Sequence, residues 1–146
     1  MRHKLLSADP PITYAIALET GDEVVACLTQ FMREQEVEAA TLTAIGAFSR
    51  AVLGYFDWQT KQYRKIPVGQ QVEVLSLIGD VAVAEGAPSL HVHAVLGKSD
   101  GSTVGGHLLE AHTRPTLEII VIQPPSYLRK QKDPETGLAL IAIDKT

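Results

Sequence analysis

Only one segment of this chain repeats its apolar residues at helical spacing. Val24, Val25, Leu28, Phe31 and Met32 fall at i, i+1, i+4, i+7 and i+8, with Glu23, Gln30, Arg33 and Glu34 between them. This predicts one amphipathic helix over Glu23 to Glu36, with Asp22 as its N-cap. Everything else reads at period two or as short apolar runs. Ile12, Tyr14, Ile16 and Leu18 share one face of a strand that Thr20-Gly21-Asp22 ends. Further strands are expected over Thr41 to Ala47, Ala51 to Asp57, Gln62 to Ile66, Gln71 to Ile78 and Val81 to Ala84. The series continues with Leu90 to Leu96, Ser102 to Glu110, Thr116 to Ile122 and Leu138 to Ile143. Ile119-Ile120-Val121-Ile122 is apolar on both faces and belongs in the middle of a sheet. Pro88-Ser89, Asp100-Gly101 and Pro124-Pro125 punctuate the run of strands. Glycines 46, 54, 79, 105 and 106 lie within or beside strand patterns, as bulges or close approaches, with ordinary turns equally open for Gly54 and Gly79.

One helix among many strands gives an α+β fold, a mainly antiparallel sheet or sandwich with one principal helix against it. With 146 residues and no linker, repeat or low-complexity tract, a single domain spanning 1–146 is expected. Such a domain buries roughly 70% of its unfolded surface, enough for a core without disulfides. Cys27 is the only cysteine, which excludes an intrachain disulfide and disfavours a thiolate metal site. The basic start Met1-Arg2-His3-Lys4 is followed by Ser7, Asp9, Pro10 and Pro11 rather than by an apolar signal core. No apolar run approaches the ~18 residues of a membrane span. A cytoplasmic protein without membrane contact is expected. The net charge of -4 weighs against a protein whose main work is neutralising a polyanion.

Chemistry concentrates in the histidines. Four of five lie between positions 91 and 112. In Leu90-His91-Val92-His93-Ala94 the two imidazoles project side by side from one strand face. Gly105-Gly106-His107 returns a third after the turn Gly97 to Gly101. If that turn centres on Ser99, His91 opposes His107; if on Asp100, His93 does. Either register puts three rings on one face, whereas a slip of one residue sends His107 to the other. Three nitrogens without a thiolate suit Zn²⁺ and leave a fourth position for water, an anion or a small-molecule ligand. His112 reads as a hydrogen-bonded core residue and His3 as a solvated terminus. Glu73 and Glu118, each within an apolar strand, are candidate catalytic acid/base groups, metal ligands or outer partners of the metal, with a solvent-facing or cross-strand-paired carboxylate as the alternative. Phosphate-loop, nucleophile-elbow and His-Glu-x-x-His motifs are absent. The basic run Tyr127 to Lys132, with Arg64-Lys65, reads as solvated loop able to touch phosphates.

Taken together, several segments resemble the plant-and-prokaryote conserved (PPC) domain in its free-standing prokaryotic form, often labelled DNA-binding. They are Ala44-Ile45-Gly46-Ala47, Val72 to Gly79, Leu90-His91-Val92-His93, Asp100-Gly101 through His107-Leu108, and Leu117 to Val121. The resemblance covers nearly the whole chain. It implies a homotrimer that serves assembly and partner binding. The Arg-Gly-Arg-Pro hook by which plant members read the minor groove is missing here, so DNA binding is expected to be weak. Plant members commonly lack the histidines at 91, 93 and 107, which places this chain with a metal-binding branch. The fold is similar to that of acetolactate decarboxylase, whose zinc is held by a His-x-His pair and a later histidine. That similarity implies ligand roles for His91, His93 and His107 without transferring the reaction. The expected function is a binding or assembly module with a three-histidine zinc site and a DNA or protein partner. The alternative is a zinc-dependent lyase or hydrolase acting on a small carbonyl or carboxylate substrate.

Overall fold

The computed structural model describes residues 1–7, 10–124 and 129–142. The elements in order are β1 (Arg2–Ser7), β2 (Ile12–Glu19), α1 (Val24–Glu34), β3 (Ala39–Asp57), β4 (Gln62–Val68) and β5 (Val72–Ala84). There follow β6 (Ala87–Gly97), β7 (Thr103–Gln123), β8 (Arg129–Lys132) and β9 (Ala139–Ala142). They build a single sheet ordered β1-β2-β7-β3-β5-β8-β9, with β4 on β3 and β6 bonded to both β5 and β7. The strands β3, β5, β6 and β7 therefore close a ring of antiparallel pairings. Among the described residues only the β5–β8 contact is parallel, a bridge from Val83 to Arg129.

Long strands replace several of the expected short ones. Thr41–Ala47 and Ala51–Asp57 are one strand, β3. Gln71–Ile78 and Val81–Ala84 merge into β5, and the segments 102–110 and 116–122 merge into β7. Register shifts in the β3–β7 ladder between Gly46 and Phe48, Phe48 and Arg50, and Val52 and Leu53 absorb what looked like breaks. Such shifts bend a strand without ending it, so one strand can serve two neighbours in succession. Gly54 and Gly79 accordingly sit in mid-strand and are not turns. A Cβ on Gly79 would lie 2.5 Å from the His91 carbonyl oxygen, and only glycine lets β6 approach this closely.

The helix starts one residue later than expected. Glu23, not Asp22, is the N-cap: its carboxylate accepts from the amides of Val25 and Ala26, and from that of Ala111 in β7. Asp22 instead accepts from the Glu19 amide and pairs with the N-terminal ammonium. The apolar helix face, Val24, Leu28, Phe31 and Met32, is buried, with the Phe31 ring edge-on to Tyr14 at 5.2 Å. Around it lie Ile16, Leu18, Phe48, Leu53, Leu77, Leu96, Leu117 and Ile119 in one core. β7 runs between β2 and β3, as its two-sided apolarity suggested. Ile119 and Val121 face the core, while Ile120 and Ile122 emerge on the other side with Ile45, Leu75, Ile78 and Val95. No helix among the described residues is long and apolar enough to cross a membrane.

Candidate metal centre

Two hairpins that share β6 assemble the site. In the first, Glu85 and Gly86 both have positive φ, 51° and 82°, which suits a two-residue turn matched to strand twist. It sets Ala84 opposite Ala87, hence Asp80 opposite His91 and Ile78 opposite His93. In the second, the Asp100 carboxylate accepts from the Ser102 amide and hydroxyl, at 2.9 and 2.6 Å. This turn centres on Asp100 and pairs His93 with His107, one of the two registers open from the sequence.

All three imidazoles converge, with one ligand nitrogen from each lying within 4.8 Å of the others. The Nε2 atoms of His91 and His93 are 3.2 Å apart. Tetrahedral zinc with bonds of roughly 2.0–2.1 Å needs its nitrogens about 3.4 Å apart, so this pair already has the spacing of two ligands. Nδ1 of His107 is buried with no hydrogen-bond partner among the described residues, an atom that a cation or a small ring movement would satisfy. Burial lowers the His107 pKa from 6.5 to about 4, helped by the neighbouring His91 and His93 and by Lys130. Burial also lowers His91, against the pull of Asp80. Neutral rings keep the lone pairs that a metal requires. The donor set therefore fits a divalent transition ion held by His91, His93 and His107.

The surroundings hold groups that the sequence reading missed. Tyr63 of β4 stacks on His107 at 4.7 Å and 25°, in space that Gly54 leaves open: a Cβ there would lie 2.8 Å from the Tyr63 ring. Asp80 places Oδ2 3.6 Å from His91 Nδ1 and Oδ1 2.6 Å from the Lys130 ammonium. Lys130 is buried, not part of a solvated loop. The expected basic run is a strand over Arg129–Lys132, while Tyr127 and Leu128 lie outside the described residues. The Glu85-Gly86 turn was the available signal for Asp80, because counting back from it pairs Asp80 with His91. Nothing local marks Lys130, which arrives from a distant hairpin.

Glu73 and Glu118 are not brought to the histidines. Glu73 lies opposite Gly97, five residues along β5 from Ile78 and so about 16 Å from the His93 row. Glu118 lies opposite Ile45, with its neighbour Ile120 three strands from His93, about 14 Å away. Both are exposed. His112 is half-buried and hydrogen-bonded, with Nε2 2.8 Å from Arg50 and 3.1 Å from Glu110. The His3 side chain lies outside the described residues. Two hollows flank the cluster. One of about 430 Å³ is bounded by Thr41, Thr43, Ile78, Asp80, His91 and His93. The other, about 190 Å³, lies between Tyr63, His91, His107, Lys130 and the Leu138–Leu140 segment.

The Plants and Prokaryotes Conserved (PCC) domain matches residues 7–124, four-fifths of the chain and the whole metal cluster. The chain belongs to this family. A metal-containing protein from Archaeoglobus fulgidus is 31% identical, covers 97% of both chains and superposes with a TM-score of 0.83. A candidate DNA-binding protein from Bacteroides thetaiotaomicron is 25% identical over 96% of both chains, with a TM-score of 0.88. A Staphylococcus aureus protein similar to α-acetolactate decarboxylase shares the fold alone, at 12% identity, a TM-score of 0.56 and coverage of 82% of this chain and 53% of its own. Among curated proteins, the bifunctional protein GlmU of Synechococcus sp. (strain JA-3-3Ab) is 31% identical over 140 residues. That match takes in 90% of this chain but spans only a fifth of the GlmU length.

Proposed function

We propose that this PCC-family protein is a homotrimeric binding and assembly module built round a zinc ion held by His91, His93 and His107. The observation that carries the reading is the convergence of three depressed or closely packed imidazoles within 4.8 Å. A metal-containing relative of equal length supports it. Zinc bound there acts as a Lewis acid with one position left for an outside ligand. This chain's own contribution is to aim the three rings and, through burial, to favour the neutral form of His91 and His107. The apolar sheet face that carries Ile45, Leu75, Ile78 and Ile120 supports assembly, because a patch of that kind is seldom left in water. Contact with DNA is secondary: Lys130 of the basic run is committed to Asp80, and the exposed Lys132, Arg64 and Lys65 sit on an acidic chain.

The two hollows beside the histidines favour a second reading, a zinc enzyme acting on a small carbonyl or carboxylate compound. Glu73 and Glu118 are too far away to serve it, and Asp80 is the carboxylate at hand. Elemental analysis of protein purified without an affinity-tag metal tests the main reading. About one zinc per chain is expected, falling to a small fraction in His93→Ala. Metal-free protein whose zinc uptake is unaffected by His93→Ala would refute it.

A further inference from the structure

Asp80 and Lys130 are charged, packed against the cluster and not needed as ligands. The first hairpin register makes Asp80 the cross-strand neighbour of His91. The ring of His91 then divides its two nitrogens, Nδ1 toward Asp80 Oδ2 at 3.6 Å and Nε2 toward His93 at 3.2 Å. Only 2% of the Lys130 side chain is exposed, and its ammonium lies 2.6 Å from Asp80 Oδ1 and 3.5 Å from the Ser89 carbonyl. An ammonium buried this far needs its counter-charge, so Lys130 fixes where the carboxylate sits. Lys130 belongs to the β8–β9 hairpin, whose ladder contact with the rest of the sheet, among the described residues, is the Val83–Arg129 bridge. The Lys130 side chain adds a tie between that hairpin and the β5–β6 pair, through Asp80 and the Ser89 carbonyl. The same hairpin supplies Leu138, Ala139 and Leu140 to the wall of the hollow beside His91 and His107.

We propose that Asp80 and Lys130 are positioning residues of the metal centre, and that metal binding and docking of the β8–β9 hairpin reinforce each other. The inference rests on the zinc reading above. A carboxylate that accepts from Nδ1–H selects the tautomer whose Nε2 lone pair faces the ion, and makes that nitrogen more basic. A cation on Nε2 polarises the ring in return and shortens the Nδ1–Asp80 contact. Lys130 holds the other carboxylate oxygen, so whatever seats Asp80 also seats β8. Coupling of this kind is reciprocal: if the docked hairpin raises zinc affinity, zinc must favour the docked hairpin by the same factor.

Chelator-treated protein titrated with Zn²⁺ against a chromophoric competitor tests this, alongside amide hydrogen exchange over residues 129–142 with and without zinc. Asp80→Asn and Lys130→Met should each bind zinc roughly 10- to 100-fold more weakly than wild type. Lys132→Met, at the exposed end of β8, should bind as wild type does, and Lys130→Arg should recover most of the loss. Zinc should slow exchange in β8–β9 of the wild type and much less in Lys130→Met. Exchange over β3, β5 and β7 reports whether each variant keeps its fold, and Asp80→Asn carries the test if Lys130→Met does not. Wild-type affinity in Asp80→Asn, with exchange in 129–142 indifferent to zinc, would overturn the proposal and leave the zinc reading standing. A wild type that takes up no zinc would remove both.

Discussion

Acid should destabilise the metal-free protein through His107, well above the range where carboxylates titrate. The folded pKa of about 4 lies below the ordinary 6.5 because the ring is buried beside two other imidazoles. A depressed histidine favours the folded state while the ring is neutral. Its contribution is fully present above pH 6.5, is lost as the pH falls toward 4, and does not change further below that. Between those limits the unfolded chain takes up a proton that the folded chain refuses, costing about 1.4 kcal/mol per pH unit. From pH 7.5 to pH 5.0 the loss from this one group is about 2 kcal/mol. Burial lowers His91 as well, so it adds to the loss in the same direction. Asp22 and Asp100 are held below the usual carboxylate range by hydrogen bonds, so their effect falls below this window. Urea denaturation of chelator-treated protein at the two pH values, at one protomer concentration, measures the difference. His107→Phe keeps an aromatic ring against Tyr63 and cannot titrate, so it should lose much less. A wild type equally stable at both pH values would refute the reasoning. So would a His107→Phe variant with the full wild-type loss.

Sedimentation equilibrium should give close to three times 15.8 kDa, and Ile120→Glu on the exposed sheet face should shift the protein toward monomer without loss of strand content by circular dichroism. Duplex DNA should bind weakly and without sequence preference, with anisotropy signals lost between about 50 and 200 mM salt. Tight selective binding at 200 mM would make DNA recognition the primary function. Gly79→Ala should cost about 1–3 kcal/mol and weaken zinc binding, because its Cβ pushes against the His91 carbonyl oxygen. Unchanged stability and zinc uptake in that variant would show that β6 yields freely.

Helix, strand alternation and the shared face of His91 and His93 are legible because each depends on neighbours a few residues apart. Register is legible where a turn names it. Asp100-Gly101 left two odd-membered alternatives, and the Asp100–Ser102 hydrogen bonds decide between them. Strand length is harder to read. A polar pair such as Ser49-Arg50 looks like a stop, yet β3 runs through it by bulging at Ser49, so that Phe48 faces Thr113 and Arg50 faces His112. A carboxylate between apolar residues looks buried, yet Glu73 and Glu118 point outward, since alternate positions of a one-sided sheet face opposite ways. Tyr63 and Lys130 reach the site from strands far away in sequence. No local pattern encodes such contacts.

The cluster also depends little on loops. Each of the three histidines sits inside a strand with ladder partners on at least one side, and β6, which carries two of them, is bonded on both. The buried residues interleaved with them, Val92, Ala94 and Leu108, belong to the main core. The core therefore fixes the backbone under the site whether or not an ion is bound. An ion that met such a frame would pay mainly for small ring movements, not for folding a chain around itself. This separates the centre from small domains in which zinc supplies the folding free energy. The β8–β9 hairpin, tied to the site by the Lys130–Asp80 pair, is then where a metal-linked change is best sought.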